Sequence, residues 1–280
     1  MGTATARITQ CHWYKQKEQT MLALFKSKPL LEQQEQQWLI DTFVWAVENF
    51  DSDYFINHSQ LVLPNHQCFP DAVSSIEEMA SKVFERVVGY SGLQAWPIKL
   101  VAPQQLQPQV FPHFAFSTCL RGESSQLIVP PSHNINVSFN PNQINQPQDL
   151  VASFAGTLAT IMIHHVGVLP PGGKEFLPQA ADALACYLGF GVMMSNTVYQ
   201  FKGGCGSCYN PYANRQAALS ETQTIFMHAL VCHFKGHQGS KKYLKPHLRS
   251  QFKKAQKEIK ALVSDTANPL LLALDEQKAG

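Results

Sequence analysis

Apolar and polar positions alternate with a helical period over the first well-patterned stretch of the chain. Between residues 30 and 49, Leu31, Glu35, Trp38, Phe43, Ala46 and Val47 fall close to helical spacing. A polar loop at Asp51, Ser52 and Asp53 follows, then a short strand candidate over 60–63 that Pro64 stops. Ile76, Met79, Val83 and Val87 share a face and predict a second helix over 71–88, ended by Gly89 and Gly92. The pattern then changes. Pro, Gln and β-branched residues dominate 93–140, and four short extended segments emerge at 98–101, 114–118, 126–129 and 134–139. In the last of these Ile135, Val137 and Phe139 alternate as a half-buried strand requires, and Arg121-Gly122-Glu123 reads as a hairpin turn.

From residue 148 onward the helical period returns, over about 148–166, 178–199, 220–234 and 243–263. The order predicts an α+β fold of N-terminal helices, a small mixed sheet and a C-terminal helical bundle. Its expected divisions are a flexible N-terminal segment 1–29, a single domain 30–265 and a C-terminal tail 266–280.

Composition narrows the class. Of 280 residues, 45% are hydrophobic and 15% charged, which suits a buried globular core, and a net charge of +2 demands no acidic partner. The basic stretch 235–260 carries its own apolar stripe, Leu244, Leu248, Phe252, Ala255, Ile259 and Leu262. Its lysines therefore read as a solvated helix face rather than a nucleic-acid surface. The first twenty residues lack an apolar core, and no apolar run of about eighteen residues is free of polar breaks. Seven cysteines, odd in number and mostly isolated, fit reduced thiols. The expectation is a cytoplasmic protein without a membrane span. Phosphate-loop and serine-elbow motifs are both missing from the sequence.

Two places carry candidate chemistry. On the 148–166 helix, Ser153, Thr157, Thr160 and His164 recur at steps of four, three and four, opposite the apolar Leu150, Phe154, Leu158 and Ile161. On the next helix Asp182, Cys186, Gly189, Met193 and Asn196 share a face. If the two stripes meet, Asp182 can hydrogen-bond His164 and fix its ring. The second place is Cys205-Gly206-Ser207-Cys208, a C-x-x-C pair able to clamp half a zinc site or form a redox disulfide. Cys186, His228, Cys232 and His233 are its possible partners.

With these elements placed, the chain resembles a family of largely uncharacterised bacterial zincin-like proteins. The likeness spans most of 30–260: the first two helices with their Phe-Pro-Asp step, the passage DLVASFAGTLATIMIHH, and ADALACYLGFGVMMSN. The resemblance implies a zincin-like fold with a metal site where the 150–166 and 178–199 helices meet. Carried over by position, His164 matches the second metal His and Asp182 the acidic ligand. Thr160 stands at the first His, and Ile161 at the Glu that serves as base. A catalytic zinc site keeps three protein ligands and needs a group to take the proton from bound water. The expected function is accordingly a non-catalytic zincin-like protein, a pseudo-metallopeptidase that binds a peptide or protein and needs no cofactor. Two alternatives remain open. One is a zinc-dependent hydrolase with a rearranged site drawing on His164, Asp182, Cys205 and Cys208; the other is a zinc-stabilised or thiol-responsive module at the two cysteines.

Overall fold

The computed structural model describes residues 28–198, 214–237 and 239–279. Most of the predicted N-terminal segment 1–29 and the Cys205–Cys208 loop therefore lie outside the described residues. Leu31–Gly280 forms one compact unit.

Each element has a local cause. Helix α1 (Gln33–Asn49) opens where the Glu35 carboxylate accepts the Glu32 N–H at 3.3 Å. Helix α2 (Ile76–Ser91) starts later than the sequence predicts, because the Ser75 hydroxyl accepts the Glu78 N–H and caps it there. It ends at Gly92, whose φ of 74° is the left-handed turn of a helix C-terminus. The four predicted strands are all present as β1 (Ile98–Leu100), β2 (Ala115–Phe116), β3 (Leu127–Val129) and β4 (Ile135–Val137). They do not form one mixed sheet. β1 pairs with β4 in parallel and β2 with β3 antiparallel, as two separate ribbons.

The helical part follows as α3 (Pro147–Val166), α4 (Leu177–Ala185), α5 (Gly191–Asn196), α6 (Glu221–Phe234), α7 (Leu248–Ser264) and α8 (Pro269–Ala279). α3 begins with Pro at its first turn, where a missing N–H costs nothing, and stops at Gly167 with φ 71°. α4 packs along α3, α5 and α7 pack on α6, and α1 lies against α4 and α6. Leu150, Phe154 and Leu158 on α3 are fully buried, as the periodicity requires, each contributing about 1.5–3 kcal/mol relative to exposure. The region 266–280, expected as a tail, instead carries α8, which buries Leu271 and Leu274.

Two further expectations change. The predicted helix 178–199 is interrupted between α4 and α5 by a π-turn, Cys186–Phe190, with Gly189 at φ 107°. A Cβ at Gly189 would lie 2.2 Å from the Gln60 carbonyl oxygen, and the Gly189 carbonyl accepts the Val62 N–H at 3.0 Å. Residues 60–63 pass this turn without forming the expected strand. Second, Pro147–Val166 and Gly173–Asn196, although broken by polar residues, reach the length and mean hydropathy of a membrane span by composition alone, and both are mostly buried within the fold.

Candidate functional site

The four positions carried over from the zincin pattern part company. Ile161 is buried in the core. Thr160 is exposed and donates to the Gly156 carbonyl at 2.9 Å, a bond within its own helix. His164 is exposed at the end of α3, with its ring 6.1 Å from that of Phe111. The stripe Ser153–Thr157–Thr160–His164 is therefore the solvent-side face of α3, not an inward seam. Ser/Thr-rich faces belong outside unless every group finds a partner within.

Asp182 stands in the opposite setting. It is buried, and one carboxylate oxygen receives Arg215 Nη1 at 2.7 Å. The other accepts the backbone N–H groups of Ala218 and Leu219 at 2.8 and 3.1 Å. The predicted hydrogen bond from Asp182 to His164 is not made. The aspartate is instead the anionic half of a buried ion pair whose remaining lone pairs go to backbone donors, the arrangement a buried charge requires.

Arg215 is the residue the sequence reading missed. Besides Asp182 it donates Nε to Thr197 Oγ1 at 3.2 Å and Nη2 to the Met194 carbonyl at 3.4 Å. Its own N–H bonds Asp149 Oδ1 at 2.8 Å. One residue thereby ties three helices: its guanidinium reaches the middle of α4 and the end of α5, and its backbone N–H reaches the start of α3. The available signal was indirect: Asp149 and Asp182 both sit within strongly apolar helices, and two such acids call for a cation or a set of N–H donors.

His165, next to His164, enters an aromatic cluster. It stacks on Phe114 at 4.3 Å between ring centroids and meets Trp96 and Phe116 edge-on. Burial, then the nearby His113, lowers its pKa, so it serves there as a neutral ring.

Among the candidate partners of the C-x-x-C pair, His228 and Cys232 touch. The Cys232 Sγ lies 3.6 Å from His228 Nε2, and Ser240 Oγ contacts both at 3.4 and 3.2 Å. Burial drives His228 down to about 3 and Cys232 up to about 12, so both are neutral. Gly191 makes room for this imidazole, since a Cβ there would meet Nδ1 at 2.3 Å. Cys186 is fully buried, and His233 bonds Asp275 on α8 at 3.0 Å. Among the described residues no three His, Cys, Asp or Glu side chains converge as a metal centre would need.

A concave surface lies elsewhere. A cleft of about 440 Å³ runs between α2, the start of α3 and the loop before α2. Phe69, Val73, Met79, Val83, Val151 and Met193 form its walls, with His66, Asp71 and Lys82 on them as well. A mostly apolar cleft with a few polar groups is the usual form of a ligand or peptide site. The nearby Asp71–Arg86 ion pair, at 2.8 Å, braces the loop against α2.

Class and geometry together define an α+β protein with a helical core and two small ribbons. Comparison with family models, curated proteins and solved structures returns no match.

Proposed function

We propose that this chain is a non-catalytic, cytoplasmic protein of zincin-like build that binds a peptide or protein partner. The observation that carries this reading is the commitment of Asp182 to Arg215 and two backbone N–H groups. A metal at this place would have to take the carboxylate from a buried guanidinium and leave that charge unpaired. His164 faces solvent at the end of the stripe, and neither Thr160 nor Ile161 can serve as ligand and base. Binding is supported by the apolar cleft between α2 and α3, whose walls suit an apolar side chain of an extended peptide.

The test has two arms. Purified protein should show no chelator-sensitive peptide hydrolysis; hydrolysis lost in His164→Ala would sink the non-catalytic reading. Peptide display against the intact chain should enrich sequences with one fixed apolar position, and Val73→Glu on the cleft wall should abolish the enrichment without changing the melting temperature.

A second reading rests on the contact between His228 and Cys232, two partners the sequence named for Cys205 and Cys208. A zinc-stabilised module predicts stoichiometric zinc that the Cys205→Ser/Cys208→Ser variant loses. Unchanged metal content, melting temperature and thiol reactivity in that variant dismiss it.

A further inference from the structure

The two ribbons treat their outer edges differently. In the parallel pair, Ile135 and Val137 bond the side of β1, which leaves the N–H and C=O of Asn136 on the far edge. One side chain takes both: Gln109 Oε1 accepts the Asn136 N–H at 3.0 Å, and Gln109 Nε2 donates to its carbonyl at 2.8 Å. A carboxamide there stands in for a further strand, one of the ways a fold covers a sheet edge. β3 has no such cover. It pairs with β2 alone, and among the described residues no N–H or C=O of Leu127, Ile128 or Val129 is bonded outside that pairing. All three side chains are exposed, Ile128 by 62%. An open edge that carries apolar side chains is a template for another strand.

The surroundings of β3 extend this apolar edge. Phe116 of β2 pairs with Leu127, and the rings of Phe114 and Phe111 follow at 5.8 and 6.0 Å. The Val110 carbonyl accepts His133 Nε2 at 3.0 Å, which holds this loop beside the ribbon. Val110 and Phe111 are exposed, the former by 82%. Together with the three β3 residues they present about 400 Å² of apolar surface, the size of patch that marks interaction sites on monomers. Charge is nearly absent from it. Between residues 102 and 148 the only Lys, Arg, Asp or Glu residues are Arg121, which is buried, and Glu123, although 15% of the whole chain is charged. A membrane surface would call for exposed cations here, and an acidic or basic partner for the opposite sign. The exposed residues flanking β3 are instead uncharged, among them Gln126, Pro130 and Ser132.

We propose that this face joins two copies of the chain, with β3 of each pairing antiparallel about a two-fold axis near Ile128. The two ribbons then become one four-stranded sheet. A second copy is the partner that brings the same neutral, apolar edge. Antiparallel pairing sets Leu127 against Val129 of the second copy and Ile128 against its own equivalent, an isologous contact. The uncharged flanks supply a rim that carries the apolar centre toward the ~800 Å² each partner buries in a standard interface. The register with β2 passes over Ile128 as a bulge, and Pro130 follows, so the open edge is short. It therefore closes in pairs instead of growing into a fibre. The interface shares no residue with the cleft between α2 and α3.

Sedimentation equilibrium on the intact chain tests this. A dimer should form at about 10–100 μM. Ile128→Glu and Ile128→Lys each set like charges opposite one another, and each should weaken the dimer about tenfold or more. Because Ile128 is exposed, both variants should keep the far-ultraviolet spectrum of the parent chain. Mixed in equal amounts, the two variants should recover a dimer, which a folding defect in either could not produce. A chain that stays monomeric to about 1 mM, a dimer indifferent to both substitutions, or a mixture no tighter than either variant alone would each overturn the proposal.

Discussion

Two arginines lie almost wholly inside this protein, and the fold treats them differently. Arg215 meets Asp182 directly at 2.7 Å, and its remaining donors reach Thr197 and Met194. Arg121 meets only carbonyl groups and aromatic faces, with one edge unpartnered. The first arrangement is closed: charge and hydrogen bonds are matched within the chain, and the cluster holds three helices in register. The second is open. It joins the ends of α1 and α2 but leaves charge and donor capacity over. A buried charge that is fully answered holds the fold together, whereas one partly answered keeps an uncompensated desolvation cost.

The largest effect should fall on the closed site. Asp182→Asn removes the counter-charge of Arg215 and places an amide donor where Ala218 and Leu219 already present N–H groups. Loss of about 3–5 kcal/mol of unfolding free energy is expected, the usual cost of stranding a buried charge, read from urea denaturation. A loss below about 1 kcal/mol would mean that the pair is not closed as described.

Arg121→Met should cost less, about 1–3 kcal/mol, although it removes an equally buried side chain. The carbonyls of Phe50 and Ser91 lose a donor, but an incompletely compensated charge leaves with it, and that offsets part of the loss. A penalty as large as that of Asp182→Asn would erase the distinction between the two sites.

The alkaline limb of the stability curve reports the open site from behind. Burial, followed by Arg121, lowers Lys235 from its ordinary value to about 8. Between about pH 8 and the unfolded value near 10.4 the unfolded chain holds a proton that the folded chain has released. The contribution of Lys235 to stability therefore rises with pH through this window and is lowest below it. Lys235→Met should flatten the rise in denaturation midpoints measured from pH 7.5 to 10.5. Arg121→Met should narrow it, because removing the neighbouring cation returns Lys235 toward its ordinary value.

Much of this architecture was legible in the residue pattern, and the failures have physical reasons. The segments 98–101, 114–118, 126–129 and 134–139 all contain strands, because β-branched residues in short runs bounded by Pro, Gly and Asn have few other uses. The apolar face of α3 was equally plain. Hidden were features that depend on contacts distant in sequence. Gly189 reads as one more small residue in an apolar run, yet its positive φ breaks the helix where Gln60 passes. Arg215 and Arg121 stand in irregular segments with no periodicity to declare their burial. The polar stripe of α3 was expected to meet the Asp182 stripe of the next helix, whereas amphipathic logic turns Thr160 and His164 outward.

The smallest effect separates the partner expected for Asp182, His164, from the one it has, Arg215. His164 is exposed and makes only a ring contact with Phe111, so His164→Ala should shift stability by no more than about 0.5 kcal/mol. The decisive quantity is coupling. In a double-mutant cycle His164→Ala and Asp182→Asn should add to within about 0.3–0.5 kcal/mol, as independent sites do. Arg215→Met and Asp182→Asn should be far from additive, because once either partner is gone the second substitution removes a group already stranded. Strong coupling of His164 to Asp182 would restore the inward seam and, with it, half of a metal site. Coupling confined to Arg215 leaves Asp182 with the structural task the closed cluster assigns it.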